Sequence, residues 1–230
     1  MKPTSCSIPP PRDREELCAR AEALAGRTVA GLARALGVIA PGGGVRTKGK
    51  IGQLVEKALG ASAGSSAEPD FPALGIELKT VPIDAAGNPH ESTFVCAISL
   101  ADADRAEWET SAARAKLAHV LWVPVRGEPS APASERILGA PIFWRPTAEQ
   151  TRILRADFEE LMGLVGIGGV EALTAHAGRY LQVRPKAAHG RVRTLAFGLD
   201  GERISTVPRG FYLRPRFTGA LLRDPAAVPV

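Results

Sequence analysis

Two carboxylates and a lysine stand at a spacing that chemistry can use. Pro69-Asp70 is followed, after six residues, by Glu77-Leu78-Lys79. This fits the signature of metal-dependent nucleases, a Pro-Asp followed by an acidic residue, any residue and Lys. Two carboxylates can hold Mg²⁺ through hard oxygen ligands and leave positions for water and a phosphate oxygen. On a strand, Lys79 falls on the same face as Glu77, roughly 6–7 Å along, where an ammonium can orient water or stabilise charge at phosphorus. Taken alone, acid-x-Lys recurs from composition, and an exposed strand with cross-strand ion pairs yields the same residues. Context adds weight. Glu56 lies on the preceding helix and can supply a third carboxylate, and Ile76 and Leu78 bracket Glu77 with residues of a buried strand.

Two other motifs match a template and lack its context. Gly60-Ala61-Ser62-Ala63-Gly64 is literally the G-x-S-x-G nucleophile elbow. The elbow requires a strand before the serine and a helix after it; here a helix precedes and an extended acidic segment follows. The run from Gly44 to Ile51 nearly matches the phosphate-binding P-loop. Ile51 stands where a hydroxyl would hold Mg²⁺, so nucleotide hydrolysis is set aside. Lys48 and Lys50 can still meet phosphate as point charges.

The elements that must position these residues follow from periodicity and punctuation. Asp13 caps a helix carrying Leu17, Ala21 and Leu24, and Thr28 caps a second with Val29, Leu32 and Leu36. Pro41-Gly42-Gly43-Gly44 is a loop, because three glycines lose too much backbone entropy in a helix. A third helix spans 50–59. Strands are expected at 74–83, 92–100, 120–125, 142–144, 180–183 and 210–213, and helices at 110–119 and 148–165, with a terminal helical turn at 218–222. Helices, then a sheet, then mixed elements indicate an α/β or α+β chain with a mixed sheet.

The chain has 230 residues, 45% hydrophobic and 23% charged, which excludes disorder, collagen-like repeats and disulfide miniproteins. No apolar run suits a signal peptide or a membrane span, and three scattered cysteines make neither a disulfide framework nor a zinc site. A cytoplasmic location is expected. Between positions 179 and 223 there are ten basic and two acidic residues, a local excess above the net +5 of the whole chain. That asymmetry suits a polyanion-binding lobe beside a metal-binding one. On charge alone, a solvated arginine-rich surface accounts for it equally well.

With these residues in hand, the sequence resembles the MutH family of mismatch-repair endonucleases, within the type II restriction-endonuclease-like superfamily. The likeness runs from about residue 16 to 222. It is carried by Lys48-Gly49-Lys50-Ile51-Gly52, Leu74-Gly75-Ile76-Glu77-Leu78-Lys79-Thr80, Thr93-Phe94-Val95-Cys96, Trp108-Glu109-Thr110-Ser111 and Val120-Leu121-Trp122-Val123-Pro124-Val125. Leu59-Gly60-Ala61-Ser62-Ala63-Gly64-Ser65, Asp70-Phe71, Tyr180-Leu181-Gln182-Val183-Arg184-Pro185-Lys186-Ala187 and Pro208-Arg209-Gly210-Phe211-Tyr212-Leu213 complete it.

The resemblance implies a single α/β domain of restriction-endonuclease-like fold, a mixed β-sheet flanked by helices with two arms forming a DNA-binding cleft. The arms are expected at about 12–110 (catalytic) and 111–222 (DNA-reading), with a tail at 223–230. The implied activity is Mg²⁺-dependent nicking of the unmethylated strand, 5′ of G, at hemimethylated GATC. The partners implied are double-stranded DNA and MutL as activator, with MutS upstream; the chain is expected to be a monomer. Asp70, Glu77 and the Leu78 carbonyl would hold the metal, Glu56 would complete the acidic cluster, and Lys79 and Lys116 would serve catalysis. Arg184, Lys186 and Tyr212 would read the sequence and its methylation, with Lys48 and Phe94 at the DNA surface. A stand-alone GATC restriction endonuclease cutting both strands is the alternative, and a non-catalytic DNA-binding protein comes third. The Gly42-Gly43-Gly44 loop and the proline-rich tail depart from the family pattern.

Overall fold

A computed structural model describes residues 8–42, 49–64, 68–128, 130–173, 177–187 and 191–229. Lys48 and residues 44–48 of the P-loop-like run therefore lie outside the described residues, as does Cys6. Two units can be distinguished, one drawn from Met1–His90 and His119–Trp144, the other from Glu91–Ala118 and Arg145–Val230. They interleave along the chain, so a boundary between 110 and 111 falls inside the second unit.

The first unit opens with α1 (Arg14–Glu22), α2 (Val29–Ala35) and α3 (Lys50–Leu59). Asp13 accepts from Glu16 N at 2.8 Å and Thr28 accepts from Gly31 N at 3.0 Å, each relieving an N-terminal amide that the helix leaves without a partner. Next come β1 (Glu77–Ile83), β3 (Val120–Arg126), β4 (Ile137–Leu138) and β5 (Ile142–Trp144). In this mixed sheet β3 pairs in parallel with β1, and antiparallel with β4 and β5 on its other side. The apolar stripes of the three helices meet one face of the sheet in a core of Leu17, Val29, Leu54, Val55, Leu78 and Leu121.

The second unit contains β2 (Thr93–Ala97), α4 (Ala112–Leu117), α5 (Ala148–Gly166), β6 (Leu181–Pro185), β7 (Thr194–Phe197), β8 (Arg203–Thr206), β9 (Arg209–Leu213) and α6 (Pro215–Arg223). An antiparallel sheet runs β2-β9-β6, and β7 and β8 form a hairpin. Thr147 and Gln150 make a reciprocal capping box at the start of α5. The buried Asp157 carboxylate on α5 receives the amides of Arg179 (2.7 Å), Tyr180 (2.6 Å) and Leu181 (2.8 Å), pinning the entry to β6.

This is the mixed α/β architecture of a restriction-endonuclease-like chain, with several sheets flanked by helices. Several expected elements change their bounds, and the terminal turn expected at 218–222 is the helix Pro215–Arg223. The first strand starts at Glu77 rather than 74, because a 3₁₀ turn at Pro72–Leu74 and Gly75 at φ 62° reverse the chain first. The β7–β8 hairpin and the short β4 were not expected at all. No helix among the described residues is long and apolar enough to cross a membrane, and Cys18 and Cys96 form no disulfide.

Candidate functional site

The turn before β1 brings the Asp70 carboxylate to the edge of the strand that carries Glu77. Phe71 and Ile76 pair back to back across it, with Phe71 N donating to Ile76 O at 2.9 Å and Ile76 N to Phe71 O at 3.3 Å. That pairing folds Asp70 against the strand, where its Oδ2 accepts from Leu78 N at 2.8 Å. The small-residue loop contributes as scaffold: Ser62 N donates to Asp70 O at 3.0 Å. The role of Ser62 is thus in its backbone.

Glu77 N donates to His119 O at 3.0 Å, so the polar backbone groups of Glu77 point to β3 and those of Leu78 point away from it. The Leu78 carbonyl consequently shares the open edge with the Asp70 carboxylate. Glu77 and Lys79 lie on the sheet face that carries Val120 and Trp122, and they form an ion pair with both side chains largely buried. Asp70 is 8% exposed and Glu77 2%. The Asp70 and Glu77 carboxylates and the Leu78 carbonyl at the start of this strand are hard oxygen donors, the kind that fits Mg²⁺.

Glu56 is carried by α3. Its Oε1 lies 3.7 Å, and Thr80 Oγ1 3.4 Å, from the point where a side chain on Gly52 would begin. Thr80 is on the face opposite Lys79, so Glu56 belongs to the α3 side of the strand. Among the described residues no three His, Cys, Asp or Glu side chains gather as a metal-binding group. Lys116 sits on α4 in the second unit, three residues before the chain returns to the first at His119.

The residues expected to read DNA do assemble, on one face of the β2-β9-β6 sheet. Register sets Phe94 and Gln182 on either side of Tyr212, and Arg184 opposite Gly210. The Phe94 and Tyr212 rings meet edge to face with centroids 5.3 Å apart. The Arg184 guanidinium lies 6.0 Å from the Tyr212 ring centroid, and Lys186 Nζ is 4.1 Å from that of Phe94. Tyr212 is half-buried and Phe211 and Leu213 take the core side, so Tyr212 is no core tyrosine. Burial raises its phenol pKa, and the Arg184 charge acts in the opposite direction. Gly210 is needed for closeness: a Cβ there would lie 2.8 Å from Phe94 Cε2 and 3.0 Å from the Cys96 carbonyl oxygen.

Sequence reasoning missed two members of this face. Ser92 Oγ accepts from Gln182 Nε2 at 2.8 Å and from Arg184 Nη1 at 3.0 Å. Gln182 was legible, being two residues before Arg184 on one strand and so on its face. Ser92 had no local signal. The basic excess is also only partly free for a polyanion. Arg214 donates to the carbonyls of Gly178 (2.9 Å) and Ala177 (2.7 Å), Arg179 to that of Pro229 (2.7 Å), and Arg209 pairs with Glu171 (3.3 Å). These three hold the fold together.

Comparison with known proteins places these features. A family model described as the DNA mismatch repair enzyme MutH matches residues 59–157, a segment containing Asp70, Glu77, Lys79, Phe94 and Lys116. The DNA mismatch repair protein MutH of Escherichia coli K12, of E. coli O9:H4 strain HS and of Shigella boydii serotype 18 are each 51% identical to this chain over 215 residues, covering 94% of both sequences. Identity at that level over nearly the whole length, together with an acidic pair and lysine built as the signature requires, establishes that the chain belongs to the MutH family of DNA mismatch repair enzymes.

Proposed function

We propose that this chain is a Mg²⁺-dependent DNA endonuclease of mismatch repair that nicks the unmethylated strand, 5′ of G, at hemimethylated GATC. The observation that carries the reading is the β1 edge, where Asp70, held by the Leu78 amide, flanks the Glu77–Lys79 pair. Asp70, Glu77 and the Leu78 carbonyl would hold the ion. When bound, Mg²⁺ supplies Lewis-acid polarisation of a phosphate oxygen and activation of water. Lys79, restrained by Glu77, presents its ammonium where it can orient the attacking water and offset charge at phosphorus. Glu56 adds negative charge from the α3 side, and Lys116 adds a cation to the catalytic set.

In this reading the β2-β9-β6 face meets the major groove. Arg184 and Lys186 offer donors to guanine acceptors, and the Tyr212 ring tests the volume beside adenine N6, where methylation adds bulk without charge. Phe94 and Lys48 contact the DNA surface. Activation by MutL, with MutS acting upstream, a monomeric state and a cytoplasmic location belong to the same proposal.

The test is nicking in Mg²⁺ of plasmids carrying hemimethylated, unmethylated or fully methylated GATC, with and without MutL. Single-strand nicks at the first two substrates, stimulated by MutL and absent from the third, are expected. Concerted double-strand cleavage would point instead to a stand-alone restriction endonuclease, and binding without cleavage to a DNA-binding protein alone.

A further inference from the structure

The convergence on Ser92 carries an inference about how bases are read, and it rests on the proposal that the β2-β9-β6 face does the reading. A serine hydroxyl has two acceptor lone pairs and one proton. At Ser92 both lone pairs are taken, by Gln182 Nε2 at 2.8 Å and Arg184 Nη1 at 3.0 Å. The two donors differ in character. Gln182 is 5% exposed and sits in register with Tyr212 at the sheet's centre, so its amide is a fixed post. Arg184 is exposed, at the end of β6, and without a tether its guanidinium would sample many rotamers. Ser92 ties the mobile group to the fixed one.

We propose that Ser92 is a positioning residue for base recognition: its hydroxyl oxygen, braced by Gln182, holds the Arg184 guanidinium over the Tyr212 ring before DNA arrives. With both lone pairs engaged, the Ser92 proton is directed away from Gln182 and Arg184, as a donor. Pre-set geometry matters because a guanidinium pairs with guanine through a fixed planar fork, and a freely rotating one pairs with any acceptor it meets. Holding Arg184 therefore favours the correct base pair over its competitors more than it raises affinity for DNA in general.

The experiment measures kcat and KM in Mg²⁺ on a hemimethylated GATC duplex and on duplexes with one base pair of the site changed. It compares wild type, Ser92→Ala, Ser92→Thr and Arg184→Ala, with thermal melts of each. Ser92→Ala is expected to lose roughly tenfold in discrimination between the site and its altered versions, the worth of one hydrogen bond to a charged group. Its affinity for unrelated duplex should stay near wild type, while its melting point should fall by a few degrees because the buried Gln182 amide loses its acceptor. Ser92→Thr, which keeps the hydroxyl, should restore discrimination. If Arg184→Ala loses discrimination while Ser92→Ala keeps it, the positioning role is overturned and the base-reading face stands. If Arg184→Ala discriminates as well as wild type, the base-reading assignment itself falls, and the Ser92 inference with it. Loss in Ser92→Ala that Thr does not restore also refutes the hydroxyl tether.

Discussion

Asp70 is asked to do two jobs, and they can be separated. Its Oδ2 accepts the Leu78 amide at 2.8 Å in a setting where Asp70 is 8% exposed. Truncation to Ala leaves a buried N–H without its charged acceptor, which costs about 1.5–3 kcal/mol. For a chain of this size that is a fall of roughly 3–10 °C in melting temperature. Asp70→Asn keeps an acceptor oxygen in place and removes one of two carboxylate charges flanking Leu78, so its stability without metal should match or exceed wild type. Both variants lose a hard anionic ligand, and both should lose nicking while retaining DNA binding. Metal linkage supplies a readout independent of activity. Mg²⁺ at a hundredfold over its dissociation constant stabilises a protein that holds it by about 2.7 kcal/mol. Wild type should show that gain in urea or thermal unfolding, and neither variant should. An Asp70→Asn protein that nicks in Mg²⁺, or that gains stability from Mg²⁺ as wild type does, would falsify the assignment of Asp70 as a metal ligand. An Asp70→Ala protein as stable as wild type would show that the Leu78 bond contributes nothing.

Other expectations are briefer. Replacing Mg²⁺ with Ca²⁺ should support DNA binding without cleavage, since the larger ion has the wrong ligand geometry to activate water; turnover in Ca²⁺ alone would contradict this. Tyr212→Ser should nick hemimethylated GATC more slowly and lose its preference against fully methylated sites, read as the ratio of the two rates; an unchanged ratio removes Tyr212 as the methyl sensor. Lys48→Ala should reduce the slope of log binding constant against log salt by about one, whereas Arg214→Ala, whose guanidinium serves the Gly178 and Ala177 carbonyls, should lower melting temperature and leave the slope alone. Gly210→Ala puts a methyl 2.8 Å from Phe94 Cε2 and 3.0 Å from the Cys96 carbonyl oxygen, one of which is backbone and cannot rotate away. It should cost about 1–3 kcal/mol of stability and weaken base discrimination, measured by unfolding and by the rate ratio on altered sites.

Much of the secondary structure was legible because its causes are local. Asp13, Thr28 and Thr147 announce helix starts through a side chain that reaches an amide three residues on, and the apolar period then runs to the end of the element. The β7–β8 hairpin was equally legible, since Asp200-Gly201 sits between short alternating runs; it went unread. The pairing of Glu77 with Lys79 is local too, fixed by strand parity alone. Charge counting overstates the cations available to a polyanion for a different reason. Composition registers ten cations between 179 and 223 and says nothing of their acceptors, yet Arg179, Arg209 and Arg214 are committed to partners within the fold.

What residue order alone determined is the chemistry on offer: two carboxylates, a lysine and a phenol at spacings that strands turn into faces. Tertiary structure decided which of them meet. Asp70 reaches Leu78 because a tight turn doubles the chain back before the strand. Ser92 meets Gln182 and Arg184 across 90 and 92 residues of sequence. Contacts of that length depend on strand register and on sheet order, which are set by how whole apolar faces are buried and not by any neighbour in the chain.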